Sequence, residues 1–378
     1  MRRHGSPMRV LYASHWFMPY SLALVNALAE RHDVCLLTTG RSLRSLDPDR
    51  ARDLIDPRVR IEIEPDTRDR QAQPPGYYIA ALRNLKRLLR DFKPDVFHVQ
   101  ESADMLLAWT WLRALKSRPT RFVVTVHDPE PHKGDEHRLW WLRQRCIHAV
   151  RHRADQVVAL ANYNRERLLA IHPQIPPDRV AVVQHPAMDF YRRYVPADAD
   201  QVRGSVLFFG RMVAYKGLGT LAEAWKPLRE RVPYATLTIA GRGPDVAVHG
   251  PRLEQDPRVR ILNTFLSNEE VARLFTAASV VVLPYSEATQ SGVLATALAF
   301  GRASVVTNVG GLPEMIEDGV SALVIPPRDP EALGDALAWV LSEDTLRSVL
   351  EEGARARALG ALSGAALAEG LEQVYAAE

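Results

Sequence analysis

At 378 residues, 47% hydrophobic and 25% charged, the chain is too long for one ordinary domain and apolar enough for two, which excludes wholesale disorder. Its net charge of +3 conceals a split: residues 1–200 hold 32 Lys+Arg against 24 Asp+Glu, and the remainder 16 against 21. No run reaches the ~18 apolar residues of a membrane span, and the opening MRRHGSPMRVLYAS has cations but no apolar leader core, so a cytoplasmic chain is expected.

Short apolar runs alternate with longer amphipathic stretches along the whole sequence. RVLYAS is followed by the helical SLALVNALAERH and then by DVCLLTT; VRIEIE, DVFHVQ, RFVVTV and DQVVAL each precede a helical pattern. Such βαβ alternation predicts parallel sheets covered by helices on both faces. The pattern stops at YRRYVPADADQVRG (191–204), the best linker, and restarts with SVLFFG, ATLTIAG, VRILNTF, SVVVLPY, ASVVTN and SALVIPP. The expected fold class is α/β, with two doubly wound Rossmann-like domains over residues 1–198 and 199–360. Residues 361–378 form a terminal helix packing back on the first domain. Cys35 and Cys146 read as free buried thiols of a reducing compartment.

Ligands of doubly wound domains sit at the carboxyl ends of the strands, so the loops there carry the chemistry. If the two domains face each other across a cleft, those loops make an interdomain active site. In LFFGRMVAYKGLGTLAEAW a strand ends at Gly210, and Arg211 and Lys216 precede a helix. Two cations beside a helix N-terminus suit a diphosphate, although a solvated loop would look similar. TIAGRGP repeats a tight glycine turn after another strand. YSEATQSGVLATALAFG (285–301) has no basic residue, yet Ser291, Gly292 and Val293 open a helix whose backbone amides can receive an anion. The alternative there is a plain capped helix, with Ser291 satisfying its own first turn. Gly310 and Gly311 allow a further close backbone approach, and DPEALGDAL reads as a proline-started surface helix.

At these loops the chain resembles the C-terminal domain of the retaining family 4 glycosyltransferases, which have the GT-B fold. The resemblance runs over about residues 204–342 and carries GRMVAYKG, AGRGP, LPYSEATQSGVLATALAFGRASVVTNVGGLPE and DGVSALVIPPRDPEAL. A looser match in the first half carries MRVLYASHWFMP, PDVFHVQ, FVVTVHDPEPHKGD and ADQVVALANYNRERL. It implies a nucleotide-diphosphate sugar donor, a glycan or lipid-linked acceptor, a role in polysaccharide biosynthesis, no cofactor and no nucleic-acid partner. Arg211 and Lys216 would hold the donor diphosphate, and His127 would lie near the transferred sugar. Gly210, Glu287, Thr289, Gln290, Ser291, Gly292, Val293, Thr296, Gly310 and Gly311 would line the donor site. The sequence departs from the family at its two donor-site glutamates, where Ala288 and Thr296 align. Glu287 is one residue away from the first of them. After the first strand the usual double glycine is replaced by His15, Trp16 and Phe17, placing His15 and Trp16 on the acceptor side.

The Asp-x-Asp triplets at 47–49 and 198–200 follow no buried strand, so metal-bound nucleotide chemistry is not expected. A Rossmann G-x-G-x-x-G after the first strand is also missing. Two other readings share the fold: an epimerase or phosphorylase-like enzyme, and a non-catalytic partner protein. The segments 83–93 and 137–153 interleave cations with Leu, Trp and Ile. They suggest transient contact with an anionic membrane at its inner face, against the alternative that their apolar stripes simply pack on the sheet.

Overall fold

The computed structural model describes residues 6–64, 75–101, 104–115, 120–130 and 140–377. Residues 131–139, which include the end of FVVTVHDPEPHKGD and the start of the basic stretch 137–153, lie outside the described residues. The chain divides into two compact units, residues 1–184 with 364–378 and residues 185–363.

The first unit opens with β1 (Arg9–Ala13), α1 (Met18–Leu28), β2 (Asp33–Thr39), α2 (Gly40–Arg44), β3 (Arg60–Glu64) and α3 (Pro75–Asp91). It continues with β4 (Val96–Gln100), α4 (Met105–Ala114), β5 (Arg121–Val126), α5 (Trp140–Arg153), β6 (Gln156–Ala159), α6 (Asn162–Ile171) and β7 (Val180–Val182). Its seven strands are all parallel in the order β3-β2-β1-β4-β5-β6-β7. A strand covered on both faces is expected to be a near-continuous apolar run. β4 and β6 are buried along their whole length, with His98, Gln100 and Gln156 as buried polar exceptions in them.

The second unit holds β8 (Ser205–Phe209), α7 (Leu218–Arg231), β9 (Thr236–Ala240), α8 (Asp245–Leu253), β10 (Val259–Leu262) and α9 (Asn268–Ala277). After these come β11 (Val280–Leu283), α10 (Gly292–Ala299), β12 (Ala303–Thr307), β13 (Leu323–Ile325), α11 (Pro330–Ser342) and α12 (Asp344–Leu359). Its parallel sheet runs β10-β9-β8-β11-β12-β13. In both sheets the first strand of the unit lies inside, so the order reverses between β1 and β4 and between β8 and β11. In open α/β sheets the ligand crevice lies at such points, outside the carboxyl ends of the strands.

The chain crosses between units earlier than the linker-like composition suggests, at 184/185 and again at 363/364. Residues 191–204 are built into the second unit. Phe190 is buried, the Met188 amide donates to Ala295 O at 3.1 Å, and the Val202 amide donates to Ala277 O at 2.9 Å. The last helix, α13 (Gly364–Ala376), belongs to the first unit and packs on α1, where an added Cβ at Gly364 would lie 2.7 Å from Ala23 O. Tyr375 at its end reaches His98 of β4, with 2.6 Å between its hydroxyl and Nδ1.

Two structural expectations need correcting. DPEALGDAL is more than a surface helix: α11 is capped by Asp329 as its proline start implies, but Leu333, Leu337, Val340 and Leu341 are buried in the core. In α3, Leu85, Leu88 and Leu89 are likewise packed in the core of the first unit, so its apolar stripe is not available to a lipid surface.

Candidate functional site

In the second unit, two chain segments meet where the strand order reverses. β8 ends in Gly210, whose φ of 119° no L side chain adopts comfortably and whose Cβ, if present, would sit 3.3 Å from Val293 of α10. The loop then places Arg211 at the surface, its Nη2 donating to the Tyr215 hydroxyl at 3.0 Å. A short 3-10 turn, Ala214–Lys216, ends at Gly217 in the left-handed region and leads into α7. Lys216 Nζ rests 3.8 Å from the centroid of the buried Tyr285 ring, a cation–π contact that fixes where the charge stands. Ser286 donates its amide to Tyr215 O at 2.8 Å and so joins the β8 loop to the β11 loop.

Residues 284–290 are gripped at both ends by backbone. An added Cβ would lie 1.8 Å from Pro284 O at Gly217 and 1.5 Å from Ala288 O at Gly310. Within this span Glu287, Thr289 and Gln290 are half-buried, as are Gly292 and Val293 at the start of α10. Gln290 Oε1 is buried with no hydrogen-bond partner among the described residues.

Ser291 caps α10, its Oγ accepting from the Leu294 amide at 3.3 Å, so the plain capping alternative describes its side chain. Gly292 and Val293 amides belong to the helix's first turn, which has no intrahelical acceptor for them. Thr296, where the resembled family has a glutamate, is buried. It donates its hydroxyl to Gly292 O at 2.7 Å, a local back-bond that directs the side chain along the helix. Gly311 is buried in the turn after Gly310, followed by the Leu312 amide donating to Val309 O at 3.2 Å.

In the first unit, His127 follows β5 and is buried. Its Nε2 donates to Gln100 Oε1, and Gln100 Nε2 reaches the Tyr12 hydroxyl. Trp16, Phe17 and Tyr20 surround the imidazole edge-on at ring separations of 4.7, 5.8 and 4.8 Å. Phe17 takes a left-handed φ of 51° as it enters α1. Trp16 is 41% exposed, with its indole N–H held by Glu101 O at 2.8 Å. Beneath this cluster, burial pushes His98 down to about 3, helped by the charge of His127; its Nε2 lies 2.7 Å from Thr125 Oγ1. His15, expected on the acceptor side, is engaged by the end of β3. Its Nε2 meets Glu64 Oε2 at 2.8 Å, and both side chains are at most 8% exposed. Of the β1 loop's two candidates, Trp16 alone presents a wide exposed ring.

Sequence reasoning missed Glu64, Gln100, Glu101 and Arg151, which hold these loops in place. Gln100 closes the quoted stretch PDVFHVQ and Glu64 the strand run VRIEIE, but nothing in either marks these side chains as partners of distant loops. Of the Asp-x-Asp triplets, Asp47 accepts the amides of Asp49 and Arg50 in a local turn, and Asp198 pairs with Arg273 at 3.4 Å. Cys35 and Cys146 are both free, and burial raises Cys35 to about 12.

Two doubly wound units, each carrying polar loops at its point of strand reversal, define a GT-B architecture. Residues 20–187 match the model described as glycosyltransferase family 4, and residues 203–343 match glycosyl transferases group 1. The chain is 27% identical to alpha-D-kanosaminyltransferase of Streptomyces kanamyceticus over 79% of its own length and 81% of the relative's. It is 28% identical to D-inositol 3-phosphate glycosyltransferase of Saccharomonospora viridis, a match that spans 54% of this chain and about half (52%) of that one. Anabaena Alr3699/HepE, solved in complex with UDP and glucose, superposes with a TM-score of 0.72 at 15% identity, covering 98% of this chain and 100% of that one. Between them the two glycosyltransferase domain models span most of the chain, which is a glycosyltransferase enzyme with the GT-B fold.

Proposed function

We propose that the protein transfers a sugar from a nucleotide-diphosphate donor to a glycan or lipid-linked acceptor, with retention and without a metal. The observation that carries this reading is the junction in the second unit. There Arg211 and Lys216 stand on a loop pressed, through Gly210, against the first turn of α10. Two cations and the amides of Gly292 and Val293 together supply what a leaving diphosphate needs, with the helix end adding positive potential. No metal is then required to neutralise the charge. Thr296 and Glu287 replace the family's glutamates around the nucleoside. His127 is assigned to the transferred sugar, and attack on the sugar's own face by the acceptor hydroxyl passes its proton to the leaving phosphate. The retention reading draws support from the resemblance alone, and the nucleotide reading also from solved structures of like fold in complex with UDP-glucose and with UDP and glucose.

A thermal-shift screen of nucleoside diphosphates in EDTA tests this. One diphosphate at a hundred times its Kd should stabilise the protein by about 2.7 kcal/mol. If every nucleotide fails to stabilise, or stabilisation needs a divalent ion, the reading falls.

Membrane contact is proposed on a surface that keeps Trp141 and Leu142 of the segment 137–153 and drops the α3 leucines. With the α3 leucines buried, the large exposed apolar groups on α3, α4 and α5 include, among the described residues, Ile79, Trp109, Trp141 and Leu142, among the cations of a basic half. Aromatic rings and cations of this kind can meet a headgroup layer. Co-sedimentation should therefore appear with anionic but not neutral liposomes and weaken as salt rises, since charges are screened over about 8 Å at physiological strength. Indifference to anionic liposomes at low salt would assign the acceptor to solution.

A further inference from the structure

We infer that Arg151 of α5 is a positioning residue for His127. The inference rests on the reading of His127 given above and deepens it. Arg151 is 2% exposed, and its five N–H groups all find acceptors. Nε donates to Glu101 Oε1 at 2.7 Å, and Nη2 to Glu101 Oε2 at 2.8 Å and to Asp128 O at 3.1 Å. Nη1 donates to Pro129 O at 2.9 Å and to His172 Nε2 at 3.2 Å.

These partners are the loops around His127. Asp128 and Pro129 are the next two residues after it, so the guanidinium fixes the course of the chain as it leaves β5. Glu101 follows Gln100, whose side-chain oxygen receives the His127 proton. The Glu101 amide is itself tied to Thr125 O of β5 at 3.0 Å, and its carbonyl holds Trp16, which packs on the imidazole. One buried cation thereby joins the loops after β1, β4 and β5. A guanidinium has no acceptor, so His172 must offer a lone pair at Nε2 and be neutral. Burial, then the charge of Arg151, lowers His172 to about 4, consistent with that role. An ammonium cannot make a planar fork to Glu101 while serving two carbonyls and an imidazole.

The test is a cycle of purified, folded variants: His127→Ala, Arg151→Lys and the pair together. Arg151→Lys should lower kcat about 10²-fold, the scale of a catalytic group displaced by about 1 Å, and leave the donor KM within about twofold. In the His127→Ala background the same change should lower kcat by no more than about twofold, because a residue that acts through His127 has nothing left to position. Full, multiplicative losses in the double variant would overturn the inference while leaving His127 in its role. Normal turnover in His127→Ala would overturn the reading of His127, and with it this inference. Should Arg151→Lys fail to fold, Glu101→Gln serves in the same cycle. It keeps one oxygen for the guanidinium and the backbone carbonyl for Trp16 but removes the charge-assisted fork. A folded Glu101→Gln with undiminished kcat counts against Arg151 as well.

Discussion

Alanine at Arg211 or at Lys216 should lower the transfer rate by about 10²-fold or more while leaving the fold intact. A leaving diphosphate develops charge as the glycosidic bond breaks, and a preorganised cation facing it is worth several kcal/mol in a site that excludes water. The structure separates this loss from a loss of stability. Arg211 is exposed and, among the described residues, its side chain hydrogen-bonds Tyr215 at the surface, so its removal should cost within about 0.5 kcal/mol of folding energy. Lys216 adds a cation–π contact with Tyr285, worth about 0.5–1 kcal/mol at a site that is not fully desolvated. Steady-state rates beside urea midpoints make the comparison. Near-normal turnover in both variants would remove the pair from the donor site.

The loops of this second unit were legible in the sequence, because glycines and cations after apolar runs are local signals. The sheets were legible for a related reason: strands such as VVVL at 280–283, covered on both faces, are apolar without alternation. What could not be read is held together over long separations. Glu101 lies 50 residues from Arg151, and Pro129 and His172 lie 22 and 21 away from it. As a sequence, the helix carrying Arg151 looks like a basic amphipathic face and was read as a membrane candidate. Nothing in the order of residues says that one of its cations turns inward. The contact of His15 is likewise long-range, since its partner Glu64 stands at the end of another strand. The division falls at 184/185 and not near 198, because Pro, Asp and Gly are linker-like in composition, while Phe190, with Tyr191 and Tyr194 against its ring, and a few backbone hydrogen bonds dock that segment. Thr296 shows a finer limit. Its identity was visible, but its back-bond to Gly292 depends on the helix it sits in.

Gly310→Ala should be the most damaging single-methyl change in the donor half. Two effects separate there, and a second glycine isolates them. Gly310 and Gly319 both have left-handed φ values, 54° and 73°, so any L residue at either position carries a strain of about 1–2 kcal/mol. At Gly319 nothing lies within 4 Å of an added Cβ, so the strain is the whole cost. At Gly310 the new carbon would stand 1.5 Å from Ala288 O, a backbone atom with no side-chain rotation to relieve the clash. Segment 284–290 would have to move, yet its other end is pinned by Gly217 against Pro284 O and by Ser286 against Tyr215 O. Gly310→Ala should therefore lose about 3 kcal/mol or more in urea unfolding, against about 1–2 for Gly319→Ala. The folded fraction should also bind nucleoside diphosphate more weakly, because Glu287, Thr289 and Gln290 travel with the segment. Equal losses in the two variants would mean that the segment yields freely, and a compliant loop could not hold Lys216 and the α10 amides in register for a diphosphate.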